Sequence, residues 1–414
     1  MDSAAGRIAI LIPVLGVAIC AGMAAFGFKG RVNVVGVDLG TTFSVVAVNE
    51  HGTVRVIKDK YGDPLVPSIV SFAPGGNVLV GKEARRRLAL DPTHTIYDAK
   101  RFIGRDFDDP TVRMELERHP FSVIKHEGNY SGVGFAMNDE TVTPEEVGAH
   151  VLRRLLDMTA DYLGHRQVTK AVIAVPAKFN SRQKRATGEA YMRAGLKVMR
   201  VLEEPTAAAI AYGLHQKPNV HHILVYDFGG GTLDVSLLYV HEGFVTVEGI
   251  DGDDHLGAGL GEGKEALFFD DDGDIPSSNS TRSSSPHALH DCASYTMLSI
   301  AEHLKKRLSS SPFASFSCLS NKKDGGLSKN ITVTRQAFEK ACADVFARAL
   351  APVDLCLESN GMATSEIDEV VMVGGTTRIP KVREMLRVHL QVASLNTHID
   401  PDITVAVGTA CVVD

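Results

Sequence analysis

Two short stretches of the chain join a carboxylate to glycine and threonine in the way a phosphate site requires. The first is Asp38-Leu39-Gly40-Thr41-Thr42 and the second is Asp227-Phe228-Gly229-Gly230-Gly231-Thr232. A phosphate takes backbone N–H donors at close range, and glycine lets the chain approach without a Cβ. Threonine hydroxyls add donors. A carboxylate beside such a turn holds Mg²⁺ through its water shell, because that ion keeps several waters and takes few protein ligands. Asp38 with Gly40, Thr41 and Thr42 forms one set, and Asp227 with Gly229, Gly230, Gly231 and Thr232 forms the other. Either turn alone reads equally well as an ordinary hairpin. The pair in one chain reads as a clamp that closes on the phosphates of Mg·ATP from both sides.

The elements that must position these turns repeat with them. The β-branched run 32–38 reads as a buried strand, followed after the first turn by strands at 43–49 and 53–57. The same order returns at 223–227, 233–240 and 244–250. An internal duplication of this kind implies two lobes facing one another. Thr143-Pro144-Glu145-Glu146 is a capping-box helix start, with Val147, Val151, Leu155 and Tyr162 recurring at helical spacing. Residues 170–175 read as a further buried strand. Thr334 opens a helix with Phe338, Cys342, Val345, Phe346 and Leu350 on one face. Residues 369–373 form a strand entering Gly374-Gly375-Thr376-Thr377, and a helix follows from Pro380. Strands mixed with capped helices indicate an α/β protein.

Composition sets the limits. A chain of 414 residues holds two or three domain-sized units. Hydrophobic and charged residues, at 44% and 22%, fall in the globular range and exclude wholesale disorder. A net charge of -7 argues against a nucleic-acid surface, and the run Arg85-Arg86-Arg87 reads as a solvated helix face. The six cysteines form no C-x-x-C and no zinc spacing, and Cys342 and Cys356 read as small core residues. At the N-terminus, residues 8–28 carry no charge, enough for a helix of about 30 Å that crosses a bilayer core or serves as a secretory signal. Such a leader places the chain in the secretory pathway, where the sequons at Asn129, Asn279 and Asn330 become usable. Residues 258–290 show no sustained periodicity and read as a loop or disordered insertion. Within them Gly259–Lys264 misses a P-loop, because Ala258 and Glu265 stand where Gly and Ser or Thr are needed, and Asp270–Asp274 lacks calcium-loop spacing.

The longer motifs resemble a known family, the heat-shock 70 kDa chaperones on the actin-like (ribonuclease H-like) ATPase fold. They are Val37–Thr42, Tyr97-Asp98-Ala99-Lys100-Arg101-Phe102-Ile103-Gly104, Glu204-Pro205-Thr206-Ala207-Ala208-Ala209-Ile210-Ala211-Tyr212-Gly213, Asp227–Asp234, and Val373-Gly374-Gly375-Thr376-Thr377-Arg378-Ile379-Pro380. The resemblance covers residues 32–257 and 300–412. The apolar leader, the segment 138–144 and the length are closest to the microsomal stress-70 branch, which lacks the peptide-binding domain. The resemblance implies a two-lobed fold, each lobe with a central mixed sheet, and ATP or ADP with Mg²⁺ in the cleft between them. Asp38, Glu204, Asp227 and Asp234 would hold the Mg²⁺ hydration shell. Lys100 would neutralise the terminal phosphate and place the attacking water, with Glu204, Asp227 and Thr232 sharing the catalytic work. Gly40, Thr41, Thr42 and Gly229 to Thr232 would contact phosphates. Glu302, Lys305, Lys306 and Ser309 would pack on the adenosine from one side, and Gly374, Gly375, Arg378 and Asp402 from the other.

Some positions depart from the family pattern. Phe43 stands where Tyr is usual, Glu203 where Asn is usual, and Lys306 where an Arg would stack on adenine; Lys does not replace Arg at a stacked site. The stretch 258–290 keeps roughly the length of a helical subdomain but not its sequence. The organisation implied is a leader at 1–30, lobe I at 31–215, lobe II at 216–396 with the atypical insertion at 258–290, and a return to lobe I at 397–414. The function expected is an ATP-hydrolysing chaperone-type core in the lumen of the endoplasmic reticulum. Its expected partners are nucleotide, co-chaperones and nucleotide-exchange factors, with membrane contact only through the leader, and the chain is expected to be a monomer. The alternatives are a nucleotide-binding interaction module without hydrolysis and a sugar kinase of the same superfamily.

Overall fold

The computed structural model describes residues 13–14, 16–17, 31–127, 130–138, 140–256, 290–291, 294–319 and 328–413, with side chains left out at 290–299, 317–319 and 328–330. The expected leader apart from residues 13–14 and 16–17, the sequons at Asn129 and Asn279, the Asn330 side chain, and the near-P-loop and acidic run of 258–289 therefore lie outside what is described. Among the described residues no helix is long and apolar enough to cross a membrane.

Alternating and continuous Val runs build the first sheet. It consists of β1 (Val34–Leu39), β2 (Phe43–Glu50), β3 (Thr53–Val56), β4 (Lys170–Val175) and β5 (Lys197–Glu203), in the order β5-β4-β1-β2-β3, with the short strand Val66–Pro67 paired to β2. Val35, Val37, Ala171 and Ile173 are fully buried, as expected for parallel strands covered on both faces. The second sheet is built from β6 (His222–Phe228), β7 (Leu233–His241), β8 (Phe244–Asp253) and β9 (Glu369–Val373), in the order β8-β7-β6-β9. In both sheets three successive antiparallel strands form a meander, and a later strand adds in parallel beside the first: β4 beside β1 and β9 beside β6. The duplicated sequence pattern is thus a duplicated topology. This two-lobed α/β arrangement is the actin-like fold.

Two helices cross between the lobes. Helix α1 (Pro144–Leu163), opened by the capping box of Thr143 and Glu146 and closed by Gly164 at φ 69°, covers the first sheet. Helix α2 (Glu204–Ala211) leaves the first sheet but packs Ala207, Ala208 and Ala209 against Ile223, Val225 and Leu238 of the second. Helices α3 (Ser294–Ser310) and α4 (Pro380–His389) belong to the second half. Helix α5 (Thr404–Cys411) returns to pack Ala406 and Ala410 on Val45 and Ala47 of the first sheet. Where α2 and α5 meet there is no room for a side chain: a Cβ on Gly408 would lie 1.8 Å from Ala207 O.

The expected single helix from Thr334 is three pieces instead: Arg335–Ala341, Ala343–Arg348 and Ala351–Ser359. Cys342 breaks it at φ -103° and ψ 14°, and Pro352, near the start of the last piece, has no N–H to continue the ladder. The apolar face survives these breaks, since Phe338, Cys342, Val345 and Phe346 are buried in one core. Cys342 and Cys356 are buried core residues, as expected from the sequence.

Candidate functional site

Strand register brings the acidic residues to one edge. In the first sheet Asp38 sits opposite Ala174, and Val175 sits opposite Glu203, so Asp38 and the next residue, Glu204, lie at the carboxyl ends of parallel strands. In the second sheet Asp227 sits opposite Val373, with Gly374 following. Carboxyl ends of parallel strands are where α/β proteins place ligands. The two edges face each other across one cavity lined by Asp38, Gly40, Thr41, Thr42, Lys100, Glu204, Asp227, Gly229, Gly230, Gly231, Thr232, Asp234, Gly374, Gly375 and Asp402. Lys100 arrives on the turn Ala99–Arg101, which Asp98 opens at φ 57°, a left-handed conformation that Asp tolerates.

Both turns are braced. Ser68 donates from Oγ to Gly40 O at 2.7 Å and from its backbone N–H to Thr42 O at 2.9 Å. In the second turn Gly229 N–H donates to Thr232 O at 3.0 Å, and Thr376 Oγ1 donates to Gly229 O at 2.7 Å. The glycines have a second reason beyond phosphate approach. A Cβ on Gly230 would lie 2.7 Å from Thr42 Oγ1, and one on Gly231 would lie 2.3 Å from Arg101 Nη2, so each makes room for the opposite lobe.

The floor of the cavity carries more carboxylate than it can ionise. Burial, helped by the neighbouring Glu204 carboxylate, pushes the Asp38 carboxyl up to about 7. Burial and the carboxylates of Glu204, Asp234 and Asp38 push Asp227 well above the usual range. Lys100 Nζ meets Glu204 Oε1 at 2.6 Å; burial pulls its pKa down, but Glu204 and Asp38 outweigh that and hold the ammonium above its ordinary value. Among the described residues no three His, Cys, Asp or Glu side chains converge on a direct metal cage. A set of acids short of positive charge, without a tight chelate, fits a hydrated divalent ion, and Mg²⁺ is such an ion.

The other expected residues line an adjoining cavity. Glu302, Lys305, Lys306 and Ser309 of α3 face Gly375, Arg378 and Asp402, and Thr41, Thr42 and Gly230 border both cavities. Lys305 pairs with Glu302 at 2.7 Å, and Lys306 reaches the same carboxylate at 3.5 Å with its side chain 61% exposed. Arg378 Nη2 donates to Asp402 at 2.9 Å and also to Asp400. Ser309 donates its hydroxyl to Lys305 O of its own helix at 2.9 Å, leaving its lone pairs to accept. All the site residues expected from the sequence therefore line one or both of two adjoining cavities.

The family model described as Hsp70 protein matches residues 34–414. The chain belongs to the Hsp70 family. As an Hsp70, it is an ATP-binding, chaperone-type protein, and the cavity between the repeated turns is where that family's nucleotide chemistry would sit. The sequence did not single out Ser68, Arg101, Lys178 or Asp254 for this site. Lys178 follows β4 and so lies at the same carboxyl edge as Asp38, a positional signal that the topology supplies. It pairs with Asp234 at 2.9 Å and with Asp254, and these carboxylates outweigh burial to hold its ammonium above the ordinary value. Of the departures, Phe43 lines both cavities, and Glu203 is held by Lys184 at 3.1 Å.

Proposed function

We propose that this Hsp70-family chain hydrolyses Mg·ATP between its lobes. The observation that carries the reading is the Lys100–Glu204 pair, 2.6 Å apart, set among Asp38, Asp227 and both Gly/Thr turns. Backbone N–H groups of Gly230 to Thr232, in a turn that the Gly229 N–H closes on Thr232 O, and the Thr41 and Thr42 hydroxyls bind and orient the phosphate chain. Asp38, Glu204, Asp227 and Asp234 hold a hydrated Mg²⁺, which when bound neutralises phosphate charge. Lys100 adds charge at the terminal phosphate, and Glu204, its hydrogen-bond acceptor, fixes where that ammonium points. Positioning and fixed charge are what phosphoryl transfer to water requires. Glu302, Lys305, Lys306, Ser309, Gly374, Gly375, Arg378 and Asp402 hold the nucleoside.

A second reading, nucleotide binding with little hydrolysis, draws on Lys306, which faces solvent and pairs with Glu302 rather than forming a flat stacking surface. Calorimetry with Mg·ATP, run beside phosphate release, separates the two. The first reading expects both signals, with release abolished in Asp227→Asn. Binding without release selects the second, and no binding removes both.

The finer assignment is to the microsomal stress-70 branch of the secretory pathway, with co-chaperones and exchange factors as partners. Its support is the uncharged run 8–28 between Arg7 and Lys29, together with the segment 138–144. Protease protection of a C-terminally tagged full chain in microsomes tests it; digestion without detergent would reject a luminal location.

A further inference from the structure

Lobe I grips lobe II at the phosphate end of the cleft with two cations. Arg101, beside Lys100, donates from Nη2 to Gly231 O at 2.9 Å and from Nη1 to Asp254 O at 2.7 Å. Lys178, just beyond β4, meets Asp234 Oδ1 at 2.9 Å and pairs with the Asp254 carboxylate. Asp254 is therefore held twice, by its carbonyl and by its carboxylate, from two different elements of the opposite lobe. Asp234 is the second residue of β7 and Asp254 directly follows β8, so the grips fall on the second phosphate turn itself, at Gly231, and on the near ends of the two strands that come after it.

We propose that Lys178 and Asp254 form an interlobe positioning pair that sets the width of the phosphate end of the cleft and slows release of a bound nucleoside diphosphate. The proposal rests on reading the cleft as a nucleotide site. Opening the lobes must separate Lys178 from two carboxylates and Arg101 from two carbonyls at once. The Lys178 side chain is 34% exposed, so its part of the grip lies within reach of salt, whereas that of Arg101, at 8%, is sheltered. In Lys178→Met, Asp234 is also left without that cation beside the diphosphate, while Asp254 keeps the field of Arg101 and Arg105. Both effects speed departure, and both depend on charge rather than on shape.

The test has two readouts. The first is release of a fluorescent ADP from the full chain in Mg²⁺ buffer. Lys178→Met and Asp254→Asn are each expected to release about two- to fivefold faster at low salt, the range set by a partly exposed ion pair. The double variant should be no faster than the faster single variant, 0.5 M salt should erase the difference, and Lys178→Arg should stay near the wild type. Release unchanged in both single variants, additive effects in the double, or a Lys178→Arg as fast as Lys178→Met overturns the pairing. The second readout is hydrogen exchange of amides 229–234 in nucleotide-free protein. Faster exchange in Lys178→Met supports the interlobe grip, and unchanged exchange overturns it. This second result holds even if the wild type binds no nucleotide, an outcome that would reject the nucleotide reading by itself.

Discussion

Lys100 and Glu204 show how little a single residue type announces. As isolated residues both read as surface charges, yet their side chains are 13% and 14% exposed and 2.6 Å apart. Only the long motifs around them pointed to the site. Asp38 and Asp227 were legible by themselves, because each lies at the end of an apolar strand that runs into a glycine turn and the pattern occurs twice. Lys178 and Asp254 were not legible, since their meeting depends on how two lobes dock rather than on any local pattern. The Asp38 carboxyl gives a prediction at this scale. In the ligand-free folded protein it keeps its proton up to about 7, while the unfolded chain releases it near 3.8. Between those values the folded state binds more protons, so the stability of ligand-free protein falls as pH rises from about 4 to about 7 and stays lower above. On the proposed function, hydrated Mg²⁺ with nucleotide would relieve this cost. Calorimetric melting should therefore show a larger Tm gain from saturating Mg·ADP at pH 8 than at pH 5.5; equal gains would contradict this account of the acidic floor.

Among elements, the strands of the two repeats were read to within a few residues, because buried apolar runs bounded by glycine turns leave strong signals. The helix from Thr334 was read too long. Its apolar spacing is correct, but spacing does not report the break at Cys342, and the proline at 352 lies inside an otherwise helical face. The crossing of α2 and α5 was also invisible in sequence, although its signature is there as Gly408 against an Ala-rich helix. Substituting Gly408 with Ala puts a methyl carbon 1.8 Å from Ala207 O, and neither backbone can move without disturbing a sheet. Urea unfolding of Gly408→Ala should show a loss of about 2–3 kcal/mol, in the overpacking range. A loss under about 0.5 kcal/mol would mean that the helices are not tightly crossed. The capping box makes a smaller claim: Thr143→Ala, which removes the acceptor for Glu146 N–H, should cost about 1 kcal/mol in the same assay with nucleotide release unchanged.

At the scale of the molecule, the duplication explains why the site lies between lobes. Each repeat brings one carboxylate and one glycine turn to the carboxyl ends of its strands, and the cavity is lined by both repeats together. The helices that exchange sides, α2 onto the second sheet and α5 onto the first, tie the lobes at the base of the cleft and leave the phosphate end to polar contacts. Ligand that bridges the lobes should stabilise both together: Mg·ADP at 100 times its Kd should add about 2.7 kcal/mol to a single unfolding transition. Stabilisation of only one of two separate transitions would place the ligand within one lobe. The central claim is that the cleft hydrolyses Mg·ATP through the Lys100–Glu204 pair. The most direct measurement is single-turnover phosphate release by the purified chain and by Lys100→Ala, both saturated with ATP and Mg²⁺. The account predicts release by the wild type, its loss in EDTA, and a fall of about 100-fold or more in Lys100→Ala with ATP still bound. Equal release from the two proteins, or none from wild type that has bound ATP, would contradict it.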